Sequence, residues 1–332
     1  MFTEKDDLAH PVGEHPAWNE SYYFFWTDRS SDLAGFCRIG VRSNQGYVES
    51  LNGVFLGGSR VCFAHHRRLI ADGGSGLHAG GLSFDCVEPM NKWQLRFDGE
   101  VEDLENGAIL EVPSKQRHGT WMSKKHLNLS LTFDAASPPH GFDIHGGQEH
   151  FEHFGTVHGA IKIDGVDAQI SGNGIRDKSW GPRTWEPTLT DFPRDSGAPS
   201  TFIKWLVAPF GQDLAFATII RAQPNGAHHG AGLFVRLGRN NTIVDVIATS
   251  RYRPSSALHT HIEMRGRVDG EIFEVTGEVI NHIPTKIVTP GGATLITEGL
   301  VRWTLSGGRQ TLGIAEYHVT LKKQPDAVRQ SP

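Results

Sequence analysis

Cysteine is scarce: Cys37, Cys62 and Cys86 are the three in 332 residues. They are odd in number and far apart, and no C-x-x-C occurs. A disulfide framework and a structural zinc site are therefore not expected, and a reducing cytoplasm is the natural compartment. Charge of one sign is missing too. Lys plus Arg is 32 and Asp plus Glu is 37, a formal net charge of −5. That balance gives no electrostatic footprint for nucleic acid or for an anionic membrane, and no nucleic-acid partner is expected. Long apolar runs are absent: the longest apolar region, 202–220, is interrupted by Lys204, Gln212 and Asp213, so no membrane span is expected. Residues 1–11 are charged without an apolar core, so no signal peptide is expected there. No long window has a helical period, and neither a P-loop nor a G-x-S-x-G nucleophile elbow occurs. Residues 74–79 match a relaxed G-x-G-x-x-A pattern, but 80–85 cannot open a helix, so a loop is expected and no nucleotide cofactor is called for.

What is present is strand and turn chemistry. Hydrophobic content is 38% with 39 glycines, which suits a turn-rich β protein. Strands are expected at 21–26, 36–41, 48–55 and 61–66, separated by turn residues at 43–46 and 57–59. Asp164-Gly165 and Asp269-Gly270 each sit between strand-like runs and predict tight hairpins; Asn225-Gly226 and Asn240-Asn241 add two more such signals. Residues 271–279 alternate apolar and polar, the pattern of a half-buried antiparallel strand. This density of strands suggests barrels or sandwiches. Residues 191–200 are rich in Pro, Gly and Ser and form the candidate linker. A β domain over 1–190, a second over 191–323 and a loose tail over 324–332 are expected.

Eighteen histidines are many for this length. His150 and His153 with Glu149 or Glu152 suggest a metal site, but the spacing matches no H-E-x-x-H motif. In a strand His150 and His153 point to opposite faces, so no metal is expected. His65 and His66 follow a strand and lead into Arg67 and Arg68. Either they cap a solvated hairpin end, or one of them faces a polar substrate group.

The densest chemistry lies in 174–185, which holds the acid Asp177, the cations Arg176, Lys178 and Arg183, and the indoles Trp180 and Trp185. Either this stretch plugs a barrel end, or it lines an aromatic pocket with a carboxyl group in it. In an apolar pocket burial would keep Asp177 protonated, ready to give a proton to an alkene, hydroxyl or ether oxygen. Aromatic faces would stabilise the cation that develops. If an arginine instead forks onto Asp177, the pair is a structural clamp. Glu20 and Glu316, near Tyr22 and Tyr317, are alternative acids. His65 and His66 are candidate proton acceptors. Tyr22, Tyr23, Trp26, Trp180, Trp185, Trp205 and Arg176 are candidate contacts to substrate.

The segments 18–23, 174–183, 298–303 and 313–317 together resemble a bacterial branch of the carotenoid hydratase-like, double-lipocalin superfamily. The likeness runs from about residue 16 to about residue 320. It implies an all-β fold of two lipocalin-like antiparallel β-barrel or sandwich domains packed side by side, with an apolar cavity near their junction. It also implies a cofactor-independent enzyme of the lyase or isomerase type (hydratase, dehydratase, isomerase or cyclase) acting on a hydrophobic terpenoid, polyketide or aromatic molecule. The alternatives are a non-catalytic lipophile-binding protein and a metal-dependent hydrolase or lyase using the His-rich segment. A homodimer is left open.

Overall fold

The structure is a computed structural model. It describes residues 2–28, 30–72, 74, 76–141, 148–185, 201–222, 228–289 and 292–321. The first half is a ten-stranded antiparallel sheet. Its strands are β1 (Trp18–Asp28), β2 (Leu33–Arg42), β3 (Tyr47–Leu56), β4 (Val61–Leu69), β5 (His78–Ala79), β6 (Leu82–Glu88), β7 (Lys92–Leu104), β8 (Ser123–Ala135), β9 (Glu149–Ile163) and β10 (Val166–Pro182). They are ordered β4-β3-β2-β1-β10-β9-β8-β7-β6-β5. A further pairing of β4 with β7, at Val61↔Leu104, Cys62↔Asp103 and Phe63↔Glu102, curls the sheet onto itself. The second half is a closed barrel in chain order: β11 (Thr201–Pro209), β12 (Leu214–Ala222), β13 (His228–Arg236), β14 (Arg239–Tyr252), β15 (His259–Val268), β16 (Glu271–Thr289), β17 (Gly292–Leu305) and β18 (Gln310–Leu321). The all-β, double-barrel expectation holds. The expected boundary near residue 190 lies outside the described residues, as do the Asn225-Gly226 signal and the tail.

Both Asp-Gly signals sit at hairpins. Asp164-Gly165 joins β9 to β10, and Asp269-Gly270 joins β15 to β16. Asp269 and Gly270 both have positive φ, 51° and 84°, as a type I′ turn requires. Asn240-Asn241 is corrected. Both lie inside β14, and the turn is made three residues earlier by Leu237 and Gly238, at φ 50° and 74°.

Burial patterns identify where the halves meet. A strand with one wet face alternates, as β15 does. In β1 and β2 nearly every residue is buried, because one face looks into the first barrel and the other onto the second. Tyr22, Phe24, Trp26 and Trp93 fill the first barrel. Phe216, Phe234, Trp303 and Tyr317 fill the second. A separate cluster joins the two: Tyr23, Phe25, Phe36 and Phe55 from one side, Trp205, Val207, Leu300 and Ile314 from the other. Among the described residues no helix is long and apolar enough to cross a membrane.

Candidate active site

Most of the stretch 174–185 is the end of β10, a strand in the barrel wall whose two faces line different spaces. β1 and β10 pair without a slip, with Tyr22↔Lys178, Tyr23↔Asp177 and Phe24↔Arg176 as partners. Successive side chains leave a strand on opposite faces. Arg176, Lys178 and Trp180 therefore enter the first barrel, while Asp177 and Ser179 face the junction.

Inside the first barrel the charges are paired. Arg176 is ion-paired with Asp7, the last residue of a one-turn helix (α1, Glu4–Asp7). Asp7 also accepts from the Met90 backbone at 2.6 Å and from Trp93 Nε1 at 3.1 Å. Lys178 is ion-paired with Glu20, which also contacts the His10 ring at 2.9 Å. Trp180 stacks on that ring at 4.0 Å. Burial pulls Lys178 down to about 8 against the pull of Glu20. Glu20, Tyr22, Trp26, Trp180 and Arg176 thus lie in or around this barrel interior, away from Asp177. A cavity of about 290 Å³ at its mouth is lined by His10, Trp18, Glu20, Tyr22, Leu77 and Trp93 among others. His65 and His66 are on the exposed part of β4, where His65 contacts Glu49 at 3.0 Å.

The junction holds a chamber with about 70 Å³ of space. It brings together Asp177, Glu316, Tyr23, Trp185 and Trp205 of the sequence candidates. It adds six charged or titratable groups not among them: Arg38, Arg183, Arg221, His150, Glu298 and His318.

Two carboxyls dominate it. Glu298 on β17 and Glu316 on β18 are direct cross-strand partners, and Trp205 on β11 is the other partner of Glu316. Two anions so placed repel, so the pair holds one proton. Burial, then the charge of Glu316 and their shared hydrogen bond, hold Glu298 well above the usual carboxyl range. Burial would also raise Glu316, but contact with His318, the Glu298 hydrogen bond and Arg183 outweigh it, and it falls to about 2. His318 Nε2 is 2.5 Å from Glu316 Oε1. Burial lowers the His318 pKa against the opposing pull of Glu316, and its Nε2–H donates to the charged member of the pair. The Tyr23 phenol is raised well above its usual value by burial and by Glu298 and Glu316.

His150 is 2.5 Å from Asp177 and 3.2 Å from Glu152. Burial lowers its pKa, but these two carboxyl neighbours outweigh burial and bring it up to about 9. Glu152 is itself raised by burial and accepts from Trp205 Nε1 at 2.6 Å. Asp177 is therefore paired with an imidazolium and not forked by an arginine. One donor atom from each of His150, Glu152 and Asp177 lies within 4.8 Å of the others, a set able to hold a divalent cation if His150 is deprotonated. His153 is on the opposite face beside Arg176 and cannot join them.

A third group surrounds Trp185. The Arg183, Arg38 and Arg42 guanidiniums lie 4.1, 5.2 and 5.5 Å from its ring. Arg42 donates to the Arg183 carbonyl at 2.7 Å, and Thr294 donates to the Trp185 carbonyl at 2.7 Å. Trp185 is held at φ 62°, a left-handed conformation that costs a non-glycine residue about 1–2 kcal/mol. Burial and the Arg38 charge push Arg183 down to about 9, still a cation at neutral pH.

Several buried polar atoms aimed at the chamber make no well-directed hydrogen bond among the described residues. They are both terminal nitrogens of Arg38, Gln148 Nε2 and Ser179 Oγ, whereas the Tyr23 phenol and the Glu298 carboxyl face each other. Protein interiors seldom leave so many polar atoms together unpaired unless a ligand or water meets them. Arg38, Glu298 and His318 carry no local motif. The signal in the sequence was a lone carboxylate in an apolar strand run, which Glu298 and Glu316 both show.

Three solved structures share the architecture. A protein designated AttH from Nitrosomonas europaea aligns with a TM-score of 0.60 at 12% identity, over 94% of this chain and 98% of that one. CghA in complex with Sch210972 aligns at 0.53 and 12% identity, over 92% and 89%. Kievitone hydratase from Nectria haematococca aligns at 0.51 and 9% identity, over 92% and 89%. These likenesses show the shared fold alone, two lipocalin-like all-β domains. No curated protein sequence matches the chain. The model of one family, described as a domain of unknown function (DUF7064), matches residues 3–320, and the chain belongs to that family.

Proposed function

We propose that the chain is a cofactor-independent acid–base enzyme of the hydratase, dehydratase or isomerase type, working on a small unsaturated or aromatic molecule in the junction chamber. The observation that carries this reading is the opposed pair Glu298 and Glu316, one neutral and one charged, in a space walled by Tyr23, Trp185 and Trp205. In a dehydration, Glu298 gives its proton to a departing hydroxyl as the C–O bond breaks, and water leaves. Glu316 takes a proton from the neighbouring carbon, whose C–H electrons form the new double bond. The pair then holds its single proton on Glu316, and their hydrogen bond returns it to Glu298. Hydration is the reverse. His318 keeps Glu316 oriented, and Asp177 keeps His150 charged beside the reacting end. General acid–base groups of this kind contribute about 10²–10⁴-fold each. The name of one fold relative, kievitone hydratase, supports this reaction class.

The test is an NMR screen in D2O with enones, allylic alcohols and unsaturated acids. Wild-type protein should add water or place deuterium on carbon for at least one compound, and Glu298→Gln should lose that activity by at least about 100-fold. Full activity in Glu298→Gln would defeat the proposal.

The cavity at the mouth of the first barrel supports a second reading, a lipophile-binding protein without chemistry. It would be favoured by binding of an apolar dye that Leu77→Arg abolishes, with no turnover in the screen. The donor set at His150 supports a metal-dependent third reading. Stoichiometric metal in purified protein, lost in His150→Gln, would favour it.

A further inference from the structure

We propose that the chamber seats its substrate by an ionised carboxylate, held by the Arg38 and Arg183 guanidiniums beside the Trp185 indole. The substrate class is thus a small unsaturated or aromatic carboxylic acid and not a neutral terpenoid. This deepens, and rests on, the reading of the chamber as the catalytic site.

Arg38 is the leading observation. It is 5% exposed, and its two terminal nitrogens make no hydrogen bond among the described residues. Its ion-pair neighbour is Glu49 Oε2, 3.6 Å away and outside hydrogen-bond reach, while the other oxygen of that carboxylate is held by His65 at 3.0 Å and Arg67 at 2.9 Å. A buried guanidinium without a hydrogen-bonded acceptor is costly, and a carboxylate is the planar, two-pronged acceptor that fits its fork. The guanidinium lies over Gly40, where a Cβ would come within 2.8 Å of Nη2. The bare glycine keeps that position open.

The surrounding charges agree. Arg38, Arg183 and His150 line the chamber together with Asp177 and Glu316. Asp177 is engaged by His150, and Glu316 by His318 with the Arg183 charge beside it, so Arg38 is the cation that lacks a hydrogen-bonded acceptor among the described residues. Ser179 Oγ and Gln148 Nε2 supply further polar atoms for an acid head group. The flat remainder of the ligand is suited by the parallel rings of Tyr23 and Phe36, with centroids 5.9 Å apart, and by Trp205 set edge-on to Tyr23 at 5.2 Å. A chamber of about 70 Å³ admits the acid end of a molecule and little more, so a single-ring probe is appropriate.

The experiment compares benzoate with its neutral counterpart benzamide by calorimetric titration and thermal shift, at low ionic strength. Benzoate should bind wild type at least about tenfold more tightly than benzamide. Arg38→Gln should abolish that preference. Gly40→Ala, which displaces Arg38 without altering charge, should weaken it at least about tenfold, and circular dichroism confirms that each variant is folded. Glu298→Gln should keep the preference, because it removes the acid and leaves the cations. Equal binding of the two probes, binding of neither, or an intact preference in folded Arg38→Gln would each overturn the proposal. Loss of the charge preference together with activity that still depends on Glu298 would overturn this inference alone. Activity that survives Glu298→Gln would instead overturn the catalytic reading.

Discussion

Glu298 and Glu316 stand directly opposite each other on adjacent strands of the second barrel, both turned outward into the junction with the first. Cross-strand neighbours of like charge destabilise a sheet, and here burial adds to the repulsion. The shared proton resolves the conflict and leaves one neutral acid beside one anion. Glu298→Gln keeps the size of the side chain and an N–H donor toward Glu316. Its stability should stay within about 1 kcal/mol of wild type in urea unfolding, while turnover is lost. Glu316→Gln removes the neighbouring charge, so the Glu298 carboxyl should titrate at lower pH in that variant, read by NMR of labelled glutamate.

His150 should confer pH-dependent stability. Its pKa in the folded chain is about 9 and its ordinary value is 6.5, so the folded state binds the proton more tightly. The contribution is complete below about 6.5 and is lost as pH rises through about 9. The shift corresponds to about 3 kcal/mol at most. Lys178 and Arg183, both lowered, act in the opposite direction at alkaline pH, so the informative quantity is a difference. The stability gap between wild type and His150→Gln should be widest near pH 6 and should close toward pH 9. A constant gap would mean that His150 is not held as the cation.

The ion pair between Asp7 of α1 and Arg176 should matter to stability more than to chemistry. Asp7→Ala leaves the Arg176 charge buried and unpaired, a change that costs about 3–5 kcal/mol. Asp7→Ala combined with Arg176→Met should recover much of that loss, since an apolar pair of similar volume fits among Trp93, Phe24 and Phe151. A double variant no better than Asp7→Ala would show that the pair is not what anchors the segment.

Much of the fold was legible because turn chemistry is local. Asp164-Gly165 and Asp269-Gly270 mark their hairpins without reference to the rest of the chain. The turn at Leu237-Gly238 was missed because Leu in a left-handed conformation has no sequence signal, and the Asn pair beyond it has a stronger one. The facing of Asp177 was not legible because β10 is buried on both sides around it, which erases the alternation that assigns an inner face. The chamber is assembled from residues as distant as Arg38 and His318, so no local spacing reveals it. Glu20 and Glu316 have similar settings in sequence. Lys178 and His10 neutralise the first, while the second faces another carboxylate.

The most direct measurement is infrared difference spectroscopy of the purified protein near neutral pH, comparing wild type with Glu298→Gln and Glu316→Gln. The carbonyl band of a buried, protonated carboxylic acid should be present in wild type and absent in Glu298→Gln. A wild-type spectrum in which Glu298 contributes only ionised carboxylate bands would contradict the central claim.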